Sequence, residues 1–414
     1  MKLTSVCYRG HNMYRWIKRQ WFFQGKKPLL NTPMRDILKR QGVQVYEAAE
    51  VMQEPPIKWM EPIKTVGVGR VTKLDDEHPL KQDKPCLFYR DRNVLVEGLN
   101  QAKLFTNTVE IESGLPESLL KTKQEIDIAN FEESIQMAIA SAVVYDSTQQ
   151  KLPKRKNPEN PAWNYPRDYG IIDSRKNYII CNRFIQLCEM IASSESKNRC
   201  KVLDAFFSLP LIREPDNIQL QLRADLLVLA SDPIKPLASA ELTSELRVPN
   251  LDPLKYTVSL DEEYFYELKN AHPLKTKNAP FKYPHTALIH FNETEVRNLF
   301  GSPVTEDQIV ARSLMKAFTI AAAQARYLYG DNVEELPEPI VVQCIQTDAK
   351  YFHFSVFQLN TLRWPTESTT VRNIFWHDAI SQAYEFGGYY DGRPTISSYN
   401  NDVFKTFLAF YKNS

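Results

Sequence analysis

The apolar positions of this chain change period from stretch to stretch, most clearly between residues 304 and 361. Val310, Leu314, Ala317, Phe318, Ala321, Ala325 and Leu328 recur at steps of three and four, which lays them along one side of a helix. Thr305 followed by Gln308 supplies a capping box to start it, and Gly330 supplies a left-handed stop just past its last turn. The alanines within it let a neighbouring element approach closely. From Ile340 to Gln346 the residues are largely β-branched and apolar, as in a strand. Thr347-Asp348-Ala349-Lys350 reads as a short turn. Tyr351 to Leu359 then alternates, with Phe352, Phe354 and Val356 on one face and Gln358 continuing the series. A small-residue helix feeding a hairpin makes a core for one domain.

Elsewhere the pattern is shorter in range. Residues 86–90 (CLFYR) and 93–98 (NVLVEG) read as short strands, or as a strand and a helix start. Phe131 to Val144 and Asn177 to Ile191 carry helical periodicity. Gln219 to Ala230 alternates and then turns continuously apolar, predicting a strand that Ser231-Asp232-Pro233 ends. Leu237 to Leu246 predicts a short helix, His285 to Phe291 a buried strand, and Asp402 to Tyr411 an amphipathic helix presenting Phe404, Phe407, Leu408 and Tyr411. Residues 40–85 hold Pro55, Pro56, Pro62, Pro79 and Pro85 and predict extended chain, either an arm that wraps a partner or a linker. The expected organisation is a basic segment over 1–35, an extended Pro-bearing arm over 36–85, and an α+β (mixed α/β) single globular body over 86–414.

Charge sharpens this division. The formal net charge is only +1, yet residues 1–40 hold ten Lys and Arg against one acid, Asp36, giving +9, and the remaining forty-one bases against forty-nine acids give −8. Through residue 35 there is no acid, and Met13, Trp16 or Ile17, and Trp21 can share one helix side away from Arg15, Lys18 and Arg19. Basic, acid-free and amphipathic is the pattern of a mitochondrial presequence, though a serine-poor one. A basic tail lying on RNA and a solvated basic end are the competing readings. No run approaches the roughly 20 apolar residues that a membrane helix needs.

A second basic stretch lies inside the body. Residues 151–170 (KLPKRKNPENPAWNYPRDYG) carry Lys151, Lys154, Arg155, Lys156 and Arg167 with four prolines, Trp163 and Tyr165. Cations meet phosphates and rings stack on unpaired bases, so such a loop suits RNA. A solvated surface loop is the alternative.

Catalytic patterns are absent from the sequence. It has no G-x-S-x-G, no phosphate-cradling G-x-x-x-x-G-K-[ST] and no H-E-x-x-H, and Gly67-Val68-Gly69 lacks the third glycine of a dinucleotide fingerprint. Only 13 glycines occur, about 3% against a typical ~7%. Cysteines at 7, 86, 181, 188, 200 and 344 form no C-x-x-C pair and read as free thiols. His285 and His290 read as core or surface histidines rather than a zinc site, and His353 as packed and hydrogen-bonded rather than catalytic. A hairpin with a polar second-strand end is also the layout of metal-dependent nuclease cores. Here that end carries the amides Gln358 and Asn360, which cannot replace an ionised carboxylate on a hard cation. No catalytic, cofactor-binding or metal-binding residue is assigned.

The wording of certain blocks carries a resemblance. Tyr283-Pro284-His285-Thr286, Ala323-Gln324-Ala325-Arg326, Leu328-Tyr329-Gly330, Val341-Val342-Gln343, Phe352-His353-Phe354 and residues 356–361 (VFQLNT) resemble the programmed-cell-death-nine family of mitochondrial ribosomal proteins. The YPHT and VFQLNT blocks are nearest its large-subunit protein-thirty-seven branch. Gly114-Leu115-Pro116-Glu117, Ile185-Gln186-Leu187-Cys188 and Phe407-Leu408-Ala409 extend the likeness over about 75–414, with residues 1–74 and 362–403 matching poorly. The resemblance implies a structural, non-enzymatic constituent of the large subunit of the mitochondrial ribosome, in the matrix. It also implies that the partners are large-subunit ribosomal RNA, neighbouring ribosomal proteins and the paralogue as a heterodimer. A nuclease-derived nucleic-acid-binding protein and a non-ribosomal matrix adaptor are the other readings.

Overall fold

The computed structural model describes residues 15–23, 38–44, 46, 78–154, 167–243, 246–276, 279–292, 295–296, 298, 302–364 and 371–414. The chain divides into two units, Met1–Lys73 and Leu74–Ser414. In the first, residues 15–23 are helical and exposed, Trp16 and Trp21 included, and residues 38–40 form a further helical turn. The remainder of the expected presequence, with Met13, and the Gly67-Val68-Gly69 and Pro55-Pro56 positions lie outside the described residues.

The second unit is built on one mixed sheet with helices on both faces, as expected for an α+β body. In chain order its strands are β1 (Lys81–Arg90), β2 (Thr108–Ile111), β3 (Gln150–Lys151), β4 (Tyr169–Gly170), β5 (Arg199–Arg213), β6 (Asp216–Ala230), β7 (Asp261–Phe265), β8 (Tyr283–His290), β9 (Glu335–Thr347), β10 (Tyr351–Thr361), β11 (Asn373–His377), β12 (Ser381–Gln382), β13 (Phe386–Tyr390) and β14 (Arg393–Ser397). The helices used below are α1 (Gly98–Thr106), α2 (Glu117–Glu125), α3 (Glu132–Val143), α4 (Asp173–Ile191), α5 (Glu306–Tyr329) and α6 (Asn401–Lys412). The sheet runs β2-β11-β10-β9-β8-β6-β1-β7, with β5 added along β6 and β12 along β10. β3 pairs with β4, and β13 with β14, as separate two-stranded sheets. β1 with β6, β8 with β9, and β11 with β2 are parallel, and the other pairings are antiparallel.

Strand alternation sends successive side chains to opposite cores. On β10, Phe352, Phe354 and Val356 join the core under α3, α4 and α6, whereas Phe357 and Leu359 join the one under α1 and α5. In the first core Phe184 of α4 stacks on Phe352 at 5.9 Å between centroids and meets Phe404 and Phe407 of α6 edge-on at 5.2 and 5.5 Å. Pairs of this kind add about 0.5–1.5 kcal/mol beyond burial.

Helix α5 begins with the expected capping box: Thr305 Oγ1 accepts from the Gln308 amide and Gln308 Oε1 accepts from the Thr305 amide. Its end differs from expectation. Gly330 has φ +103° and ψ 166°, a positive-φ stop but not the left-handed helical region. The apolar stripe was expected on one side, yet residues 310–325 are buried all round. The sheet lies under the helix and α1 lies over it, and the alanines permit that approach. Several polar side chains inside find individual partners, although Gln324 Oε1 and Arg312 Nε have none. Lys316 Nζ donates to Arg223 O at 2.7 Å and pairs with Asp91 at 2.6 Å, and Gln324 Nε2 donates to Lys282 O. Asp307, in the first turn of α5, accepts from the Leu99 amide at 2.9 Å and so caps α1. A Cβ on Gly98, whose φ is +51°, would sit 1.8 Å from that carboxylate.

The helix expected over 237–246 is reduced to a 3₁₀ turn, Ala240–Thr243, within the described residues. Its start is held elsewhere, because the Leu237 and Ala238 amides donate to Gln358 Oε1 at 2.9 and 3.2 Å. β1 begins at Lys81, ahead of the 86 boundary expected for the body.

Candidate nucleic-acid interface

Residues 150–154 and 167–170 form a built neck. β3 and β4 pair antiparallel, Gln150 opposite Gly170 and Lys151 opposite Tyr169, and the Leu152 amide donates to Asp168 O at 2.8 Å. Lys151 Nζ lies 5.8 Å from the Tyr169 ring centroid, a distance for a weak cation–π contact. A Cβ on Gly170 would meet Leu152 Cδ1 at 3.0 Å, so glycine lets the two strands close. Lys151, Lys154 and Arg167 are exposed. Arg155 and Lys156, with Trp163 and Tyr165, lie outside the described residues. The structure therefore gathers three of the five candidate cations at one neck.

The neck is fixed to the α3–α4 helix pair. Asp146, just after α3, pairs with Arg175 in the first turn of α4, and this guanidinium holds the carboxyl below its ordinary range. Along the adjoining groove Tyr145 and Tyr178 are 49% and 41% exposed, and Arg183 lines the same wall. Sequence reasoning missed these aromatics. Tyr145 and Tyr178 are far apart in sequence, and the packing of α3 on α4 brings them together.

Of the histidines weighed as chemical candidates, His285 and His353 are buried and His290 is partly so. His285 Nε2 meets Asn413 O at 2.7 Å and its Nδ1 meets Thr286 Oγ1 at 2.8 Å. Burial, with Arg199 nearby, pushes its pKa down to about 3. His353 Nδ1 meets Ser313 Oγ at 3.1 Å, and burial pushes its pKa down to about 3. His290 Nδ1 lies 3.5 Å from Asp225. Cys86, Cys181, Cys188, Cys200 and Cys344 are free thiols. Burial drives the thiols of Cys86 and Cys344 up to about 12, far from the reactive thiolate range.

The polar end of β10 is a closed amide network. Gln358 Nε2 donates to Ala238 O at 2.7 Å and to Asn360 Oδ1 at 2.9 Å, and Asn360 Nδ2 donates to Arg372 O at 2.7 Å. Among the described residues no group of three or more His, Cys, Asp or Glu is placed to hold a metal ion, and no helix is long and apolar enough to cross a membrane.

Comparison with known proteins adds a family likeness. A family profile described as "Mitochondrial 28S ribosomal protein S30 (PDCD9)" matches residues 216–414, a span that includes the 362–403 stretch where the quoted blocks thin out. Large ribosomal subunit protein mL37 of Rattus norvegicus is 30% identical over 353 residues, covering 81% of this chain and 77% of that protein. The mL37 proteins of Bos taurus and Gallus gallus are 29% identical over 353 residues and 27% over 370. The two descriptions name different ribosomal subunits. The profile spans only the C-terminal half, whereas the mL37 proteins align with four-fifths of the chain, so the latter carry the assignment.

Proposed function

This chain belongs to the family of large ribosomal subunit protein mL37, and from that membership we propose that it is a structural, non-catalytic constituent of the mitochondrial large ribosomal subunit. The observation that carries the reading is the 30% identity extending over 81% of the chain. The physical features agree with it. The polar residues that could mimic an active site are buried and hydrogen-bonded for structural ends, as at Gln358, His285 and His353. The exposed cations Lys151, Lys154 and Arg167 at the neck offer phosphate contacts to ribosomal RNA. Neighbouring ribosomal proteins and a paralogue as heterodimer partner complete the proposed surroundings. Residues 1–35 serve as the mitochondrial transit peptide and the stretch from 36 up to β1 at Lys81 as an arm, and the protein works in the matrix.

Sedimentation tests this reading. Tagged protein in a mitochondrial lysate should travel with large-subunit RNA on a sucrose gradient, and its depletion should lower mitochondrial but not cytosolic translation. Protein found at the top of the gradient, with large subunits assembling normally after its depletion, refutes the assignment.

A further inference from the structure

A cleft of about 1020 Å³ opens between the β5–β6 turn, the end of α5 and the residues following β10. Its volume stands at the top of the roughly 300–1,000 Å³ usual for small-ligand sites. Three guanidinium groups line it, Arg213, Arg326 and the exposed Arg363, which is paired with Glu334 and Glu335. Arg213 donates to Phe105 O at 2.8 Å and lies 3.9 Å from the Trp364 ring centroid and 5.0 Å from that of Phe105. What offsets its burial comes from Tyr256 rather than from a carboxylate, and its pKa is pushed down to about 10. Arg326 donates through Nη1 to Pro210 O at 2.6 Å, while its buried Nε has no hydrogen-bond partner. Asp331, the acid that acts on Arg326, is engaged by Asn270 at 2.6 Å. Lys255 also lines the cleft and is exposed.

Acids line it too. Glu214, Asp331 and Glu334 are exposed, where salt screens them, Glu334 is taken by Arg363 at 3.2 Å, and Asp216 is half-buried and acts on Tyr256. A half-buried guanidinium with no carboxylate partner gives up hydration at a cost in free energy. An anion entering the cleft recovers that cost at Arg213 and Arg326 together. Tyr256 and Trp364, 4.4 Å apart between centroids, line the cleft beside the cations and add a surface for a flat ring.

We propose that this cleft binds one nucleotide of an unpaired RNA strand, its phosphate on Arg213 and Arg326 and its base against Tyr256 and Trp364. The proposal rests on the RNA-bound reading above and adds to it a specific nucleotide subsite, on residues other than those of the basic loop. Arg213 and Arg326 provide the half-buried charges, and Lys255 lies at the entrance to steer the strand.

The test uses the purified full chain with two probes, adenosine monophosphate by calorimetry and fluorescein-labelled hexauridylate by anisotropy. Both should bind, and each should compete with the other. Arg326→Gln should weaken both at least tenfold. Lys255→Gln, an exposed change that leaves the core intact, should weaken both about threefold. Ultraviolet crosslinking of the oligonucleotide should map to the peptides bearing Tyr256 or Trp364. Equal affinity of wild type and both variants, or crosslinks confined to other peptides, overturns the proposal. Binding of the mononucleotide without the oligonucleotide assigns the cleft to a free nucleotide and overturns it as an RNA subsite. Wild-type protein that travels with the large subunit yet binds neither probe refutes the cleft while leaving the ribosomal assignment standing.

Discussion

Lowering the pH from 7.5 to 5.5 should cost this protein stability in an amount set by its buried histidines. His285 and His353 are each 1% exposed, and burial holds both pKa values near 3. Arg199 and Asn413 face the first, and Ser313 and His377 the second. An unfolded histidine takes its proton near pH 6.5. The unfolded state thus binds more protons between pH 6.5 and about 3. Stability is complete above 6.5 and falls as the pH drops through it, on until the folded pKa is reached. At pH 5.5 each such histidine contributes about 1.4 kcal/mol of destabilisation relative to pH 7.5, whatever its folded pKa below about 4. The two together amount to about 3 kcal/mol, a large part of a typical stability. Carboxylates do not confuse the window. The pKa of Glu110, bonded to His377 and Lys103, is lowered to about 2, so its contribution is lost only as pH falls below about 4.5. Urea denaturation at the two pH values measures the loss, and His353→Gln should reduce the pH-induced difference by about 1.4 kcal/mol even though it lowers stability at pH 7.5. An unchanged difference in that variant would refute the assignment of a neutral, buried His353.

Other consequences are simpler to state. Ala325 is fully buried against the sheet, so Ala325→Leu should overpack α5 and cost about 1–3 kcal/mol in a thermal melt. Neutralising Lys151, Lys154, Arg155, Lys156 and Arg167 together should weaken RNA binding and flatten its dependence on salt, and an unaltered slope would assign the loop to protein or solvent. A fluorescent reporter fused after residue 35 should enter mitochondria, because the segment is basic, acid-free and amphipathic, whereas a diffuse cytosolic signal would favour a retained tail.

The fold was legible wherever the instructions are local. The capping box at Thr305, the hairpin over 335–361 and the apolar positions of α4 and α6 all follow from neighbours a few residues apart. What escaped was non-local or overlooked. Helix α1 has no side-chain cap of its own, and the group that caps it, Asp307, is 208 residues away. The 237–246 helix lost its first turn to the side chain of Gln358, a partner 121 residues distant. By contrast β5 carried its own signal in the alternation of Ala205, Phe207, Leu209 and Leu211, all buried. The β13–β14 turn likewise lay open in Asp391-Gly392, whose φ values of 47° and 73° are those that such a pair adopts readily.

The site divides along the same line. Cations between prolines at 151–167 are a compositional feature and could be seen at once. The cleft of Arg213 and Arg326 could not, since its residues come from a hairpin turn and a helix end that only the sheet order brings together. The amides of β10 show why a missing carboxylate can be informative. At Gln358 the side chain must accept from the Leu237 and Ala238 amides through one atom and donate to Ala238 O through the other. Glutamate has acceptors only when ionised, so it would set an oxygen against that carbonyl at 2.7 Å. The residue that a metal-dependent nuclease needs there would unfasten the 237–238 segment. The same polar strand end therefore cannot both hold a divalent cation and hold this segment, and in this chain its geometry is committed to the second.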